Sequence, residues 1–327
     1  MQHARLFSVA AALLLAGGCA ATAQTSPSNW PSKTIRAIVP LSAGSATDIV
    51  ARTVLEQVSR QLGQPIVVEN RTGAANTIAM NLVAKSDPDG YTILINSAAH
   101  TMKQKSIYPN LAFDTARDLL PVIPLGNVPT VLVVQASKGY RSVQDLVAAA
   151  KAKPGAMNYS STGAGNSSHL NAERFRLSAG FEAVHLPFKG APEAATEVMA
   201  GRADFLFTTL LVTMPFIQDK KLQALAVSGQ QRALALPDIP TTEEAGYKNS
   251  YYNFWIGMFV PAGTPDAIRE RLHAETRKAA ANPDVREKLT KFGVDPMDLS
   301  IGQFSALVSD EMKINAALVT AAGIRVE

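Results

Sequence analysis

The chain has 327 residues, of which 47% are hydrophobic and 18% charged, and its formal net charge at pH 7 is +4. This composition is typical of a globular protein with a large core and excludes an intrinsically disordered chain. Lysine and arginine are scattered, and no basic stripe with interleaved aromatic residues is visible, so nucleic acid is not an expected partner.

Residues 1–23 have the pattern of a secretory signal peptide. Arg5 precedes a mostly apolar run, Leu6 to Ala16, and small residues follow up to Ala23, where an A-x-A site predicts cleavage. A second interpretation keeps Cys19, the single cysteine of the chain, as the acylated first residue of a lipoprotein. Both interpretations predict export to the periplasm and a mature domain without disulfides. The length that remains after cleavage suggests about two domains.

The first predicted strand, Ile35 to Val39, leads into a loop of small residues and then a helix. The helix is indicated by apolar residues at Ile49, Val50, Val54, Leu55, Val58 and Leu62. Gly44 gives the loop backbone freedom, and Ser42, Ser45 and Thr47 have no bulk that would block the first helical amides. An anion can bind there because these amides lack intrahelical partners and the helix dipole adds positive charge. The alternative is a plain turn whose hydroxyls only cap the helix.

The next elements alternate in the order strand, helix, strand. Ile66 to Glu69 and Tyr91 to Asn96 are predicted strands, with a predicted helix, Thr72 to Lys85, between them. Repeated β-α-β order predicts a parallel sheet with helices on both faces. Ligands of such sheets lie beyond the carboxyl ends of the strands, where both the first loop and Ser97 fall. Ser97 is therefore a further candidate ligand contact.

The crossing into a second domain is expected between two short strands, Val122 to Leu125 and Thr130 to Gln135. Ser142 and Asp145 form a variant of the capping box that opens a helix through Lys151. The other predicted elements of this domain are the strand Met157 to Ser160, the strand Val184 to Phe188, the helix Pro192 to Ala200, the strand Asp204 to Phe207 and the strand Leu222 to Val227.

A second loop of small residues, Ser160 to His169, leads into another predicted helix, Leu170 to Leu177. Two helix starts that attract anions, one in each domain, indicate a ligand held from both sides by backbone amides and hydroxyls. The alternative is that Gly163 and Gly165 only serve a turn. A packing or capping role is expected for His169.

The last part of the chain predicts an aromatic cluster and three helices. The aromatic residues between 251 and 255 are expected mostly in the core. Lys189, near a loop end, is one cation that could reach an anion. The three helices are expected to pack on the first domain and comprise residues 265–281 with Thr264 as N-cap, residues 283–292 and residues 301–322.

Motifs of enzyme chemistry are lacking in the sequence. There is no G-x-S-x-G elbow, no H-E-x-x-H, no phosphate loop and no G-x-G-x-x-G after the first strand. A function of a different class stays open, namely an exported serine-type hydrolase of a small ester or amide. It would use Ser161 or Ser168 with a distant histidine, because catalytic triads assemble in space and not in sequence.

Eight segments, in order along the mature chain, resemble the recurrent motifs of the tripartite tricarboxylate transporter receptors of the Bug type: Pro40–Arg52, Pro65–Asn70, Asp87–Tyr91, Tyr159–Leu170, Pro187–Pro192, Gly201–Asp204, Pro237–Gly246 and Trp255–Pro265. The resemblance implies a periplasmic solute-binding receptor, without enzymatic activity or cofactor, of two doubly wound α/β domains around a hinged Venus-flytrap cleft. It implies one domain of residues 30–124 with 254–327, and a second of residues 125–253. The ligand contacts that it implies are Ser42, Ala43, Gly44, Ser45, Ala46, Thr47, Ser161, Thr162, Gly165 and Asn166.

The chain departs from the family pattern at both loops. Ser42 and Ser45 replace parts of the usual Pro-Ala-Gly-Gly sequence and make the first loop more polar. Some members carry an acidic residue where this chain has Thr208 and Thr209, so an ammonium-bearing ligand is not expected, and Thr208 joins the candidate contacts. Asp48, in the first helical turn, is expected to stabilise the helix dipole and to orient the loop.

The expected function is capture of a small carboxylate through closure of the two domains. A di- or tricarboxylate is the expected ligand, because two opposed loops can each hold one carboxylate group. An aromatic monocarboxylate stays an alternative, since it could use the first loop and fill the second side with apolar contacts. The receptor is expected to be a monomer that delivers its ligand to a membrane transporter or sensor.

Overall fold

A computed structural model describes residues 29–105, 107–188 and 190–323. The predicted signal peptide with Cys19, and Lys189, lie outside the described residues. The strands are β1 Ile35–Val39, β2 Ile66–Asn70, β3 Thr92–Ser97, β4 Leu119–Asn127, β5 Thr130–Gln135, β6 Met157–Ser161, β7 Ala183–Pro187, β8 Phe205–Thr209, β9 Leu222–Val227 and β10 Trp255–Pro261. The helices are α1 Ala46–Leu62, α2 Thr77–Ala84, α3 Thr115–Asp118, α4 Val143–Ala152, α5 Ser167–Ala179, α6 Ala191–Met199, α7 Leu210–Gln218, α8 Asp266–Ala281, α9 Pro283–Lys291 and α10 Ile301–Ala321. None of these helices is both long and apolar enough to cross a membrane.

The strands form two five-stranded sheets. The first has the order β2-β1-β3-β10-β4, and the second has the order β7-β6-β8-β5-β9. The parallel pairing predicted from the β-α-β order holds for β1 with β2 and β3. One strand in each sheet departs from it: β10 runs antiparallel to β3 and β4, and β5 runs antiparallel to β8 and β9. The reason is that β5 and β10 enter their sheets from the other sheet's side, where the neighbouring strands end.

Apolar clusters lie on both faces of each sheet, as expected for a doubly wound fold. On one face of the first sheet, Val54 of α1 and Leu272 of α8 pack together; on the other, Trp255 and Phe304 meet. Gly257 allows the close approach of α10, because a Cβ there would come within 2.4 Å of the Phe304 ring. Helices therefore cover both faces of each sheet and leave its edges for the loops.

Several element boundaries differ from the prediction. The helix expected from Thr72 begins at Thr77, because the backbone has positive φ at Gly73, Ala74 and Asn76. A short 3-10 turn, Ala74–Asn76, takes up those residues instead. α5 begins at Ser167, three residues before the predicted start.

Two further boundaries bear on the candidate site and the last domain. β8 continues through Thr208 to Thr209 instead of ending at Phe207. Thr264 is not the cap of α8, since Pro265 occupies that position and the Thr264 hydroxyl donates to the Pro261 carbonyl at 2.7 Å. The capping box predicted at the start of α4 is confirmed, with both reciprocal hydrogen bonds present.

Candidate functional site

The two predicted loops lie at adjoining edges of the two sheets. β4 ends at Asn127 and β5 begins at Thr130, so only two residues join the sheets at this point. Ser97, at the end of β3, and Asn127 both lie beside the start of β10, and Thr130 pairs with Thr209 at the end of β8. Because parallel strands end at the same edge of a sheet, the first loop (residues 40–45, after β1) and the second loop (residues 162–166, after β6) open toward this junction.

Asp48 fixes the shape of the first loop. Its carboxylate accepts hydrogen bonds from the Gly44 amide at 2.9 Å, from Asn70 Nδ2 at 2.9 Å and from Arg52 Nε at 3.0 Å. Burial alone would raise the pKa of Asp48, but these hydrogen bonds hold it below the usual range. Ser45 caps α1 by accepting from the Asp48 amide at 3.3 Å. The sequence-based role of Asp48, orientation of the loop, agrees with this geometry.

The start of α1 keeps donors that the loop does not use. The first helical hydrogen bond runs from the Ile49 amide to the Ser45 carbonyl, so the amides of Ala46 and Thr47 precede it. The Thr47 hydroxyl is fully buried and has no hydrogen-bond partner in the described part of the chain. Residues 42–44 are exposed beside these groups. The first loop thus offers amides and one hydroxyl to an anion.

Ser161 and Thr162 turn their polar groups inward. The Ser161 hydroxyl is buried and lies 2.5 Å from His185 Nε2, and it also accepts from the Gly163 amide at 3.1 Å. Ser168 bonds to both the amide and the hydroxyl of Thr162, each at 2.8 Å. These predicted contact residues therefore build the second loop with their own hydrogen-bonding groups.

A stacked histidine pair supports the same loop. The rings of His169 and His185 lie 3.8 Å apart with an interplanar angle of 8°, and Tyr159 stacks on His185. His169 Nδ1 accepts from the Gly165 amide at 3.0 Å. Burial, with the nearby His185, lowers the pKa of His169 to about 4, so its ring is neutral at pH 7 and can accept. His169 has the packing role expected of it. Its partner, His185, lies 16 positions away in the sequence and is not apparent from the local pattern.

The start of α5 keeps amide donors unused, whereas most amides of the loop before it are hydrogen-bonded. The side chain of Asn166, at the cap position, makes no capping bond and donates instead to the Thr162 carbonyl at 2.7 Å. The first helical hydrogen bond is that of the Leu170 amide, so the amides of residues 167–169 precede it. The Ser167 hydroxyl is buried and unpartnered among the described residues.

Tyr252 adds a second buried hydroxyl at this point. It is 3% exposed, and its oxygen has no regular hydrogen bond within the described chain. Burial raises its pKa and the Ser167 hydroxyl lowers it, so the two hydroxyls are close without full hydrogen-bond geometry. Neither group is among the contacts predicted from the sequence: Ser167 lies within the predicted loop Ser160 to His169 without a role of its own, and Tyr252 is one of the aromatic residues expected mostly in the core.

Ser97 and Thr208 lie at the same edges but are enclosed. Ser97 is 1% exposed, and its amide donates to Asn96 Oδ1 at 2.9 Å. Thr208 is 4% exposed and faces Val131 of β5 within the sheet. Their side chains belong to the floor of the junction more than to its surface.

The described residues contain a cavity away from the loops and no cluster of side chains that could hold a metal ion. A cavity of about 520 Å³ lies between β4, α8, α9 and the exposed Leu234, and no residue of either loop lines it. No group of three or more histidine, cysteine or acidic side chains in the described chain is arranged to hold a metal ion.

Residues 50–324 match the sequence model of the tripartite tricarboxylate transporter family receptors, and the chain belongs to this family. A UPF0065 protein of Bordetella pertussis is 34% identical over 319 residues, with 97% of each chain covered. Protein BugT of the same organism is 30% identical over 328 residues, with 100% of each chain covered. The resemblance drawn from the sequence motifs is thus confirmed.

Two solved structures with bound ligands are similar throughout. MatC from Rhodopseudomonas palustris, with bound malate, has a TM-score of 0.77 at 27% identity and covers 89% of this chain and 100% of its own. Rpa4515 of R. palustris, with adipate, has a TM-score of 0.79 at 28% identity and covers 90% and 99%. The fold is that of the periplasmic solute-binding receptors, and the family is not enzymatic. The hydrolase alternative is not favoured, although Ser161 and His185 do meet.

Proposed function

We propose that this chain is a periplasmic receptor that holds a small dicarboxylate between its two domains and delivers it to a membrane transporter. One observation carries the proposal: α1 and α5 both start at the junction with amides that precede the first helical hydrogen bond and with a buried hydroxyl that makes no regular hydrogen bond in the described chain, Thr47 in one and Ser167, beside the Tyr252 hydroxyl, in the other. A buried unpaired hydroxyl costs about 1–3 kcal/mol unless a ligand satisfies it.

The predicted contacts divide into two groups under this proposal. The amides of Ala46 and Thr47 and the exposed backbone of Ser42 and Ala43 contact the first carboxylate directly. The remaining first-loop residues, Gly44, Ser45 and Asp48, hold those amides in place. Charge-assisted hydrogen bonds contribute about 1.5–3 kcal/mol each, so a few amides at a helix start are sufficient without a lysine or arginine.

The second carboxylate contacts the start of α5. Its donors are the amides of residues 167–169 and the hydroxyls of Ser167 and Tyr252. Ser161, Thr162, Gly165 and Asn166 act through the loop geometry that they build, and Ser97 and Thr208 form the floor between the two helix starts. The site thus receives two negative charges on opposite sides.

The ligand class is supported by the relatives and by the chain's own residues. MatC binds malate and Rpa4515 binds adipate, and both are dicarboxylates. Thr208 and Thr209 leave the edge of the second sheet without an acidic group that would pair with an ammonium. A tricarboxylate or an aromatic monocarboxylate would contact the same helix starts but would place a different chemical group between them.

The remaining features of the proposal follow from the sequence. The receptor is exported by its signal peptide and acts as a monomer with one domain of residues 30–124 and 254–327 and another of residues 125–253. A thermal-shift screen of the mature chain against malate, adipate, citrate, benzoate, aspartate and glucose tests the ligand class. We expect the dicarboxylates to raise the melting temperature with concentration, as ligand linkage requires.

The same screen separates the proposal from its rivals. A larger rise in melting temperature with citrate or benzoate would change the ligand class to a tricarboxylate or an aromatic monocarboxylate. No rise with any carboxylate overturns the proposal. Hits are incubated with the protein and followed by NMR. Unchanged ligand after hours agrees with a receptor, whereas its conversion would return weight to a hydrolase.

A further inference from the structure

Helix α5 contacts the first domain through two residues one turn apart, Leu170 and Arg174, which we call the junction stripe. Leu170 packs in a buried cluster with Met102 and Leu318 of the first domain. Other faces of the helix serve its own domain, as with Phe175 in the second core. The helix whose start is proposed to hold a ligand carboxylate is therefore also the helix that meets the opposite domain.

Arg174 makes the polar contacts of this stripe. Its Nη1 donates to the Tyr251 carbonyl at 2.8 Å, and its Nη2 donates to Asn315 Oδ1 of α10 at 3.0 Å. Asn315 Nδ2 in turn donates to the Thr101 hydroxyl at 2.7 Å. Thr101 lies in the 3-10 turn Ala98–Met102, directly after Ser97. A continuous chain of hydrogen bonds thus links α5 to two elements of the first domain, α10 and the 3-10 turn Ala98–Met102.

The hydrogen bonds of Arg174 go to neutral acceptors among the described residues. An acidic group, Glu311, lies one turn before Asn315 on α10: burial raises the pKa of Glu311 to about 7, against the lowering effect of Arg174. Arg174 is 8% exposed, Asn315 1% and Thr101 0%, and Arg174 Nε has no partner within the described chain. Its guanidinium also lies over the rings of Tyr251 and Tyr252, at 5.7 and 5.4 Å from their centroids. A buried cation loses far more than a neutral group when an acceptor moves away. This set of contacts therefore favours one relative position of the two domains.

We infer that Arg174 is a positioning residue that couples the start of α5 to the first domain and stabilises the relative position of the two domains described here, which we take as the closed, ligand-binding one. The inference rests on the proposed function for its effect on affinity. If the closed form is fractionally populated, the apparent Kd rises in proportion to the loss of that fraction. Reducing closure to about 1–10% of molecules would weaken ligand binding about 10- to 100-fold.

The test compares three variants with a matched control. Arg174→Met and Asn315→Leu each remove one side of the link, and the double variant removes both. Arg176→Met is the control: Arg176 lies two residues away on the same helix and forms a partly buried ion pair with Glu173 at 2.7 Å that stays within the second domain.

Interdomain distance is measured first, in ligand-free protein. The mature chain has no cysteine once residues 1–23 are removed, so spin labels are introduced by Glu56→Cys and Lys153→Cys, both exposed and one in each domain. We expect longer and broader distances in Arg174→Met and Asn315→Leu and an unchanged distribution in Arg176→Met. Unchanged distances in both junction variants overturn the inference; if Arg174→Met fails to fold, Asn315→Leu decides alone.

Ligand affinity is measured next, with malate and adipate as probes. We expect an about 10- to 100-fold weaker Kd in either single variant and no further loss in the double variant, because both changes break the same link. The control loses thermal stability but keeps the Kd. If neither probe binds the unmodified protein, the proposed function fails for dicarboxylates while the distance result still decides the inference.

Discussion

The Thr47 hydroxyl is an unusual side-chain group of the receptor, since it is fully buried at a helix start and unpaired in the described chain. Thr53, two turns along the same helix, satisfies its hydroxyl on the Ile49 carbonyl at 2.8 Å. The two threonines therefore differ in what their hydroxyls do, although helix and residue type are shared. This difference makes a residue-scale test of the ligand site possible.

Thr47→Val is expected to weaken binding of the best dicarboxylate about tenfold, because one hydrogen bond to a charged group is lost. The free protein should keep or slightly gain stability, since an unpaired buried hydroxyl is replaced by a methyl group. Isothermal titration gives the Kd and urea unfolding gives the stability. Thr53→Val is the control and should leave the Kd unchanged; equal affinities for both variants would remove Thr47 from the site.

Residues of the site could be predicted where chemistry is local in the chain. Small residues before an amphipathic helix were enough to point to the loop around Gly44 and to the role of Asp48. Ser161 is predicted as a contact from its place after a strand, but its bond to His185 joins residues 24 positions apart, which no local pattern shows. Tyr252 is not predicted as a contact because the sequence pattern concerns its ring, which packs in an apolar cluster, and not its hydroxyl.

The elements whose bounds the sequence pattern predicts correctly are those made of a continuous run of mostly buried residues. β1, β5 and β9 have the predicted bounds because each is a run of mostly buried residues with clear ends. The direction of β10 depends instead on which side the returning chain enters, which is a property of the whole path. The late start of α2 depends on positive φ at Asn76 and Ala74, residues that carry no glycine signal.

The two ends of helix α1 offer a matched test at the scale of the element. Gly44 before the helix has φ +79° and Gly63 after it has φ +68°, and a Cβ at either would meet no atom within 4 Å. Alanine at each is therefore expected to cost about 1 kcal/mol of backbone strain and little else. Differential unfolding in urea measures this cost.

The two alanine variants should differ in ligand affinity. Gly44→Ala displaces the amide that Asp48 holds and shifts the first loop, so we expect at least tenfold weaker dicarboxylate binding. Gly63→Ala leaves the loop untouched and should bind as the unmodified protein does. A Gly44→Ala variant with normal affinity would show that the loop shape does not matter to the site.

At the scale of the whole molecule, His100 links stability to pH. Its ring is fully buried, stacks on Phe259 at 3.9 Å and has no partner for either nitrogen among the described residues. Burial lowers its pKa from 6.5 to about 3. Below pH 6.5 the unfolded chain binds a proton that the folded protein rejects, so the free energy of unfolding falls as pH drops toward 3.

The His100→Phe variant is expected to lose that part of the pH dependence, which reaches about 1.4 kcal/mol per pH unit for one group. Urea unfolding at pH 7, 5.5 and 4.5 measures the slope. The unmodified protein, unfolded in the same buffers, gives the reference slope. An unaltered slope in His100→Phe would place the acid sensitivity elsewhere.

The order of the strands also decides when each half of the molecule can be completed. β5 to β9 come from one continuous stretch, so the second sheet has all its strands once residue 227 has been made. The first sheet lacks the strand between β3 and β4 until Trp255–Pro261 arrives. Before then β3 and β4 present open edges to any passing strand, the condition under which partly folded chains aggregate. Slow synthesis of the last part of the chain would thus leave the second sheet complete while the first sheet still lacks β10.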